Sequence, residues 1–222
     1  MRDTSANAVN EHALLTTAWH VLARGGELAP AARVWDARFH PTRADLSFSS
    51  TASGKRYALL MLRPLKKAGG QAQPKIPQYI VEHDGKGSDA YAALSRLVRY
   101  DPVPESQRAM TPLFRRHTPT GCRHMTVTGM RSLVRARMRL LGHEDAAQWG
   151  AHSCRIGGAT DLVSTGRASA VLLQAKGRWA SDIGKIYARM TRRCQLAASE
   201  LMQAARGRDL EELLPDFVQP AM

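Results

Sequence analysis

The chain has 222 residues, 44% hydrophobic and only 6% aromatic, with 32 Lys and Arg against 19 Asp and Glu, a formal net charge of +13. That length suffices to bury a core, while no run approaches the roughly 18 uninterrupted apolar residues of a membrane helix and residues 1–10 lack the apolar centre of a secretory signal. A membrane-spanning helix is therefore excluded, no membrane partner or secretory signal is expected, the chain is expected inside the cell, and its charge excess is suited to polyanions, nucleic acid above all.

Along the chain, residues 1–10 read as a disordered N-terminus. Residues 8–23 read as a helix with the stripe Leu14, Leu15, Ala18, Val21 and Leu22. Gly25-Gly26 interrupts this pattern, with a turn expected immediately after Arg24. The character then changes: Leu46 to Ser49 alternates, 57–62 is an apolar run and 76–81 reads as another short strand, together predicting a small three-stranded antiparallel sheet. The last two strands are joined by 64–74, which holds Lys66, Lys67, Gly69 and Gly70 and is expected to be an exposed hairpin loop. Residues 88–100 read as a helix. Pro102, Pro104, Pro112 and Pro119 then punctuate an irregular stretch leading to an Arg-rich helix over 126–141. Beyond it, helices are expected over 153–165, 168–176, 181–192 and 195–214, the last broken near Gly207. There is no repeat or low-complexity tract. The predicted fold class is α+β, mainly α, with the small sheet near the start of a single domain over 1–222.

Between Ser106 and His143 there is no acidic residue, whereas Arg108, Arg115, Arg116, Arg123, Arg131, Arg135, Arg137 and Arg139 all occur. This predicts a one-signed surface. Arg131, Arg135 and Arg139 recur every four residues and share one helix face, suited, with Arg178, to following a DNA phosphate backbone. A merely solvated face is the alternative. Cys122, Cys154 and Cys194 are odd in number and far apart, which argues against a disulfide framework. Cys122-x-His124 has no second pair at zinc spacing, so no metal site is expected.

The most informative segment is His152-Ser-Cys-Arg155-Ile-Gly-Gly-Ala-Thr, followed by Gly177-Arg-Trp179-Ala-Ser-Asp and then Tyr187. Each residue alone has a plain structural reading: Tyr187 beside Ile186 suits core packing, and Arg24 after a helix suits its C-terminal dipole. Their joint order resembles the active-site signature of the tyrosine recombinases, the phage-integrase family, and H-S-x-R-I-G-G-A-T is similar to integrase-type members of mobile elements. Upstream, Arg24-Gly-Gly-Glu27-Leu28 is similar to the family's R-x-x-E-L box, and Lys66 lies in a loop between strands as the family's catalytic lysine does.

The resemblance implies DNA strand cleavage and rejoining through a 3′-phosphotyrosyl intermediate on Tyr187, in site-specific recombination or integration. Phosphoryl transfer builds negative charge on nonbridging oxygens, so fixed donors are needed around one phosphate. Arg24 and Arg155 are implied as the guanidinium clamp. In H-x-x-R both side chains would point at one place on a helix, and His152 would either donate a hydrogen bond or accept the phenol proton. Lys66 would protonate the leaving 5′ oxygen, with Lys67 and Lys55 as neighbouring alternatives. Trp179 stands where many relatives have His, and its indole N–H can only donate, to the phosphate, while the ring packs beside Tyr187. Glu27 is expected to hold the Arg24 turn, and Gly157-Gly158 to permit close helix packing. No Asp/Glu cluster for Mg²⁺ accompanies these residues, so no cofactor is expected and the chemistry should survive EDTA.

Only 23 residues precede Arg24, so the family's N-terminal clamp domain is expected to be absent, in a fragment or in a protein consisting of the catalytic domain. Residues 195–214, with Leu201, Ala204, Ala205 and Leu210, resemble the C-terminal helix that relatives dock into a neighbouring protomer. The implied partners are double-stranded DNA and further copies of the chain, as a tetramer on DNA, in a nucleoid or a nucleus. Two rival activities are a degenerate relative that only binds DNA and supercoil relaxation of the type IB topoisomerase kind.

Overall fold

A computed structural model describes residues 5–31, 34–63, 74–83, 89–164 and 169–179, which fall into two compact units, 1–154 and 155–222. Helix α1 (Ala6–His20) opens on Ser5, whose hydroxyl accepts the Ala8 N–H at 3.3 Å and so satisfies one of the free donors of the first turn. Residues 6–10, expected to belong to a disordered N-terminus, are therefore helical. The end of α1 also differs from expectation. It comes at His20 rather than at the glycines, because Leu22 turns left-handed with φ 49°, its N–H reaching Trp19 O and that of Ala23 reaching Ala18 O. This is the Schellman turn that ordinarily takes glycine. Leu22 is 2% exposed, and that burial offsets the steric cost of left-handed backbone.

Gly25 and Gly26 then open a second short helix, α2 (Gly25–Leu28). The antiparallel sheet of β1 (Leu46–Ser50), β2 (Arg56–Leu62) and β3 (Ile76–Val81) has the order β1-β2-β3, with Leu46 opposite Leu60 and Ala58 opposite Ile80. Ala58, Leu60, Leu62 and Ile80 alternate inward and are buried, as the period of two dictates. The expected loop over 64–74 lies almost wholly outside the described residues. Helix α3 (Ala90–Tyr100) is capped by the Asp89 side chain, which accepts the Ala92 N–H.

The stretch read as irregular contains a hairpin, β4 (Arg115–Thr118) and β5 (Gly121–His124). Its residues are polar or basic, so it lacks the apolar alternation that announces a strand. α1 holds it by side-chain amides: Asn7 Nδ2 donates to His117 O at 3.0 Å and its Oδ1 accepts the His117 N–H at 2.7 Å. Asn10 Oδ1 accepts the Arg115 N–H at 2.8 Å, while its Nδ2 donates to Asp101 at 2.8 Å. Two asparagines thus supply the bonds that a neighbouring strand would give.

Asp101 is the hub of this corner. Besides Asn10 it accepts from Arg43 at 2.6 Å, from Arg115 at 2.6 and 2.8 Å, and pairs with His117 at 3.0 Å. Burial opposes its ionisation, but hydrogen bonds from Arg115 and Asn10 and the charges of Arg43 and Arg115 outweigh it, lowering its pKa to about 2. Burial lowers Arg43 to about 10, with Asp101 working the other way.

Helix α4 (Val127–Leu140) carries the arginines and ends, as expected of a helix, at a glycine: Gly142 has φ 80°. Helix α5 (Ala151–Ser164) carries His152 and Arg155, and α6 (Ala170–Gly177) leads to Arg178 and Trp179. The described residues thus form the predicted class, mainly helical with one three-stranded antiparallel sheet near the start. The core of the first unit joins Leu14, Ala18, Leu46, Leu60, Ile80, Leu94, Leu97, Leu113 and Met130. The helices expected over 181–192 and 195–214 lie outside the described residues.

Candidate active site

In the first unit, Arg24 sits two residues beyond the left-handed Leu22. Its N–H donates to Glu27 Oε2 at 2.9 Å and its guanidinium lies 3.5 Å from Oε1. Glu27 is 1% exposed and the Arg24 side chain 43%, so a buried carboxylate anchors a cation that still faces solvent. This is the structural part expected of Glu27. A Cβ built on Gly25 would lie 2.9 Å from the Ala151 Cβ and 3.5 Å from a Val127 methyl, so α2 approaches the first turn of α5 as closely as a glycine allows. The residue after Ala151 is His152, which is exposed.

The start of α5 is fixed by a reciprocal cap. Ser153 Oγ accepts the Gly150 N–H and Gly150 O accepts the Ser153 N–H, both at 3.0 Å, which accounts for the serine in His152-Ser. Arg135 also acts here: its Nε donates to Trp149 O at 3.0 Å, pinning the segment that enters α5. Between His152 and Arg155, Cys154 is buried, and burial pushes its thiol up to about 11. It stays protonated and inert near neutral pH.

In the second unit, Arg155 is fully buried and donates from Nη2 to Gly177 O at 2.6 Å. Its guanidinium lies 4.5 Å from the centroid of the Trp179 ring, a cation–π distance. Trp179 is 5% exposed, and its ring occupies the space that a Cβ on Gly177 would need. Gly177 is therefore a packing requirement. The left-handed position belongs to its neighbour, Arg178, with φ 54°. The N–H groups of Arg178 and Trp179 reach Ala175 O and Gln174 O at 3.1 Å, a second Schellman turn. Arg178 Nη1 donates to Lys176 O at 3.0 Å. Burial and then the Arg178 charge lower the pKa of Lys176.

Of the remaining candidates, Lys66 and Tyr187 lie outside the described residues. Lys55 is exposed, and Lys75, which no motif singles out, pairs with Asp45. Arg131 and Arg139 are exposed on α4. The expectation of a one-signed surface over 106–143 needs correction at two points. Arg115 turns inward onto Asp101, and Arg108 donates to Arg43 O, Leu46 O and Glu105, because carbonyls and a buried carboxylate there need donors. Arg116 and Arg123 line, with His117, His124, Thr126 and Ser132, a groove of about 650 Å³ between α1, the hairpin and α4. Among the described residues no three His, Cys, Asp or Glu side chains gather as a metal site requires, and no helix is long and apolar enough to cross a membrane.

Gly25 and Gly177 stand inside the quoted motifs and Ala151 just before one, but the reason each is small is spatial and appears only when the partner surface is known.

No family model and no curated protein matches the sequence. Among solved structures the chain is similar to the XerH site-specific recombinase bound to palindromic difH substrate in a post-cleavage complex, with TM-score 0.55 and 16% identity over 91% of this chain and 48% of that one. The pre-cleavage complex of XerH with difH gives TM-score 0.52 and 16% identity over 94% and 48%. The Tn1549 transposon integrase in complex with transposon right end DNA has a TM-score of only 0.44, at 17% identity over 86% of this chain and 58% of that one. This chain spans about half the length of the XerH chains. At such identities the likeness is one of fold, and the chain has the fold of the tyrosine recombinases.

Proposed function

We propose that this chain is a tyrosine-recombinase catalytic domain that cleaves and rejoins double-stranded DNA without a cofactor. The observation that supports this best is the seating of the Arg24 box against the first turn of α5, the helix that carries H-x-x-R, in a chain of recombinase fold. In the proposed reaction the Tyr187 hydroxyl oxygen attacks phosphorus, a 3′-phosphotyrosyl bond forms and the bond to the 5′ oxygen breaks. Lys66 delivers a proton to that oxygen. Arg24 neutralises the nonbridging oxygens and His152 hydrogen-bonds the phosphate or takes the phenol proton; Arg155, buried against Gly177 O and the Trp179 ring, is assigned to the same phosphate by its place in H-x-x-R alone. Trp179 has a positioning part, its ring lying against the Arg155 guanidinium. Ligation reverses these steps, and because the phosphodiester energy is kept in the tyrosyl bond no ATP is consumed.

Arg131, Arg139 and Arg178 are proposed to follow the DNA backbone, together with the part of the Arg135 guanidinium beyond the Nε that Trp149 engages. Assembly as a tetramer through 195–214 is proposed on the pattern of that segment alone.

Nicked suicide DNA duplexes test the proposal. A covalent protein–DNA adduct is expected on a denaturing gel, insensitive to EDTA and lost in Tyr187→Phe. An adduct that persists in Tyr187→Phe, or none with any nicked duplex in a randomised library, overturns it.

A further inference from the structure

We infer that Gly25 and Ala151 form a spacing pair that sets the distance between Arg24 and His152, making Gly25 a positioning residue for strand cleavage; this rests on the recombinase reading above. Arg24 precedes Gly25 and His152 follows Ala151, so this close approach of α2 to α5 lies a single residue from each candidate. The gap is filled to its limit. A Cβ at 25 would meet the Ala151 Cβ at 2.9 Å, whereas ordinary contacts between such atoms run from 3.4 to 4 Å.

The surroundings decide whether that overlap can be absorbed locally. Neither atom is the end of a flexible side chain. Gly25 O accepts the Ala29 N–H at 2.9 Å and Arg24 O accepts that of Glu27 at 2.8 Å, so α2 is a closed turn that moves as a unit, and Pro30 O just beyond it accepts the Val127 N–H of α4 at 3.0 Å. On the other side Ala151 is 7% exposed, with the Gly150–Ser153 cap holding its backbone. A methyl group at 25 therefore moves α2 bodily away from α5, by roughly half an ångström to one ångström, and Arg24 with it. A misplacement of about 1 Å at a reacting centre costs on the order of 100-fold in rate. Sites that bind DNA through other arginines are untouched by this shift.

The sequence places both small residues on one gap, so one methyl group should be tolerated on either side of it. The test compares wild type, Gly25→Ala, Ala151→Gly and the double variant Gly25→Ala/Ala151→Gly. The readouts are single-turnover adduct formation at saturating nicked duplex and equilibrium binding of that duplex. Gly25→Ala is expected to slow adduct formation by about 10- to 100-fold while its dissociation constant for DNA stays within about threefold. The double variant is expected to return to within about threefold of wild type. A general loss of stability would not produce this rescue, because removing the Ala151 methyl from the first turn of a helix does not by itself stabilise the fold.

If wild type forms no adduct, the recombinase reading fails. If wild type reacts and Gly25→Ala reacts equally fast, or the double variant is no faster than Gly25→Ala, the spacing pair is wrong. Should Gly25→Ala melt below the assay temperature, the double variant decides alone: it must fold and cleave, and a double variant that does neither overturns the inference.

Discussion

Helices α1 and α6 end in the same Schellman turn, each with a residue other than glycine in the left-handed place, Leu22 in one and Arg178 in the other. Each turn borders a candidate of the active site: Arg24 follows the first, and the Trp179 N–H closes the second. The two ends differ in what holds them. Leu22 is buried, so the removal of its apolar side chain from water carries its backbone strain, whereas the turn after α6 is covered by its own Trp179 ring, folded back over Gly177 with the Arg155 guanidinium 4.5 Å from its centroid. A strained turn is thus stabilised in one place by long-range packing and in the other by a local stack that includes a candidate catalytic cation.

Substitutions at the two turns should separate these modes. The largest effect is expected from Gly177→Ala, whose methyl has no space beside the Trp179 ring. Displacing that ring should cost about 3 kcal/mol in denaturant unfolding and lower adduct formation by on the order of 100-fold, with the tryptophan emission shifting to the red. Next comes Leu22→Gly. The left-handed strain relieved is about 1 kcal/mol, but losing a fully buried leucine costs roughly 3 kcal/mol, so a net loss of about 2 kcal/mol should appear in urea titration.

Acid addresses the α1 side of the comparison through Asp101. Its folded pKa of about 2 lies below the ordinary 3.8, so the stability it contributes is complete above about pH 4 and is lost as pH falls from there toward 2. The loss amounts to roughly 2 kcal/mol, and Asp101→Asn should flatten stability against pH in that window. The smallest effect, and of opposite sign, is expected from Arg178→Gly. There a half-buried side chain and one hydrogen bond to Lys176 O are given up instead of a buried leucine, and relief of the left-handed backbone should outweigh them, stabilising by about 0.5 kcal/mol, seen as a raised Tm. If Leu22→Gly and Arg178→Gly changed stability in the same direction, the contrast between the two anchors would be wrong.

The three-stranded sheet was legible because Ala58, Leu60, Leu62 and Ile80 keep the period of two that a half-buried sheet imposes. The hairpin Arg115–His124 was not, since its bonding partners are asparagine amides and a distant Asp101, and nothing in Arg-Arg-His-Thr looks like a strand. The end of α1 was misplaced for a related reason: glycine is the usual sign of a left-handed turn, and here the tertiary burial of Leu22 overrides it. In the candidate site, H-x-x-R was readable as two positions of one helix from its spacing alone. The stack of Arg155 on Trp179 was not, because it depends on how α6 returns to α5 within the second unit. Nor was the division of labour among the arginines, since Arg115 and Arg131 look alike until Asp101 is found beneath one of them.

The asparagine link between α1 and the hairpin gives position 10 a chemical sensitivity that its place in a helix would not suggest. Asn10 Nδ2 lies 2.8 Å from an Asp101 oxygen, so exchanging that nitrogen for oxygen, by mutation to aspartate or by slow hydrolysis of the amide, would set two carboxylates against each other in a buried corner. Like charges at that distance oppose each other's ionisation, against the pull of Arg43 and Arg115 on the same corner. A single oxygen in place of that nitrogen would therefore load a second acid onto the ion-pair hub and remove a donor from it, weakening the corner that ties α1 to the hairpin.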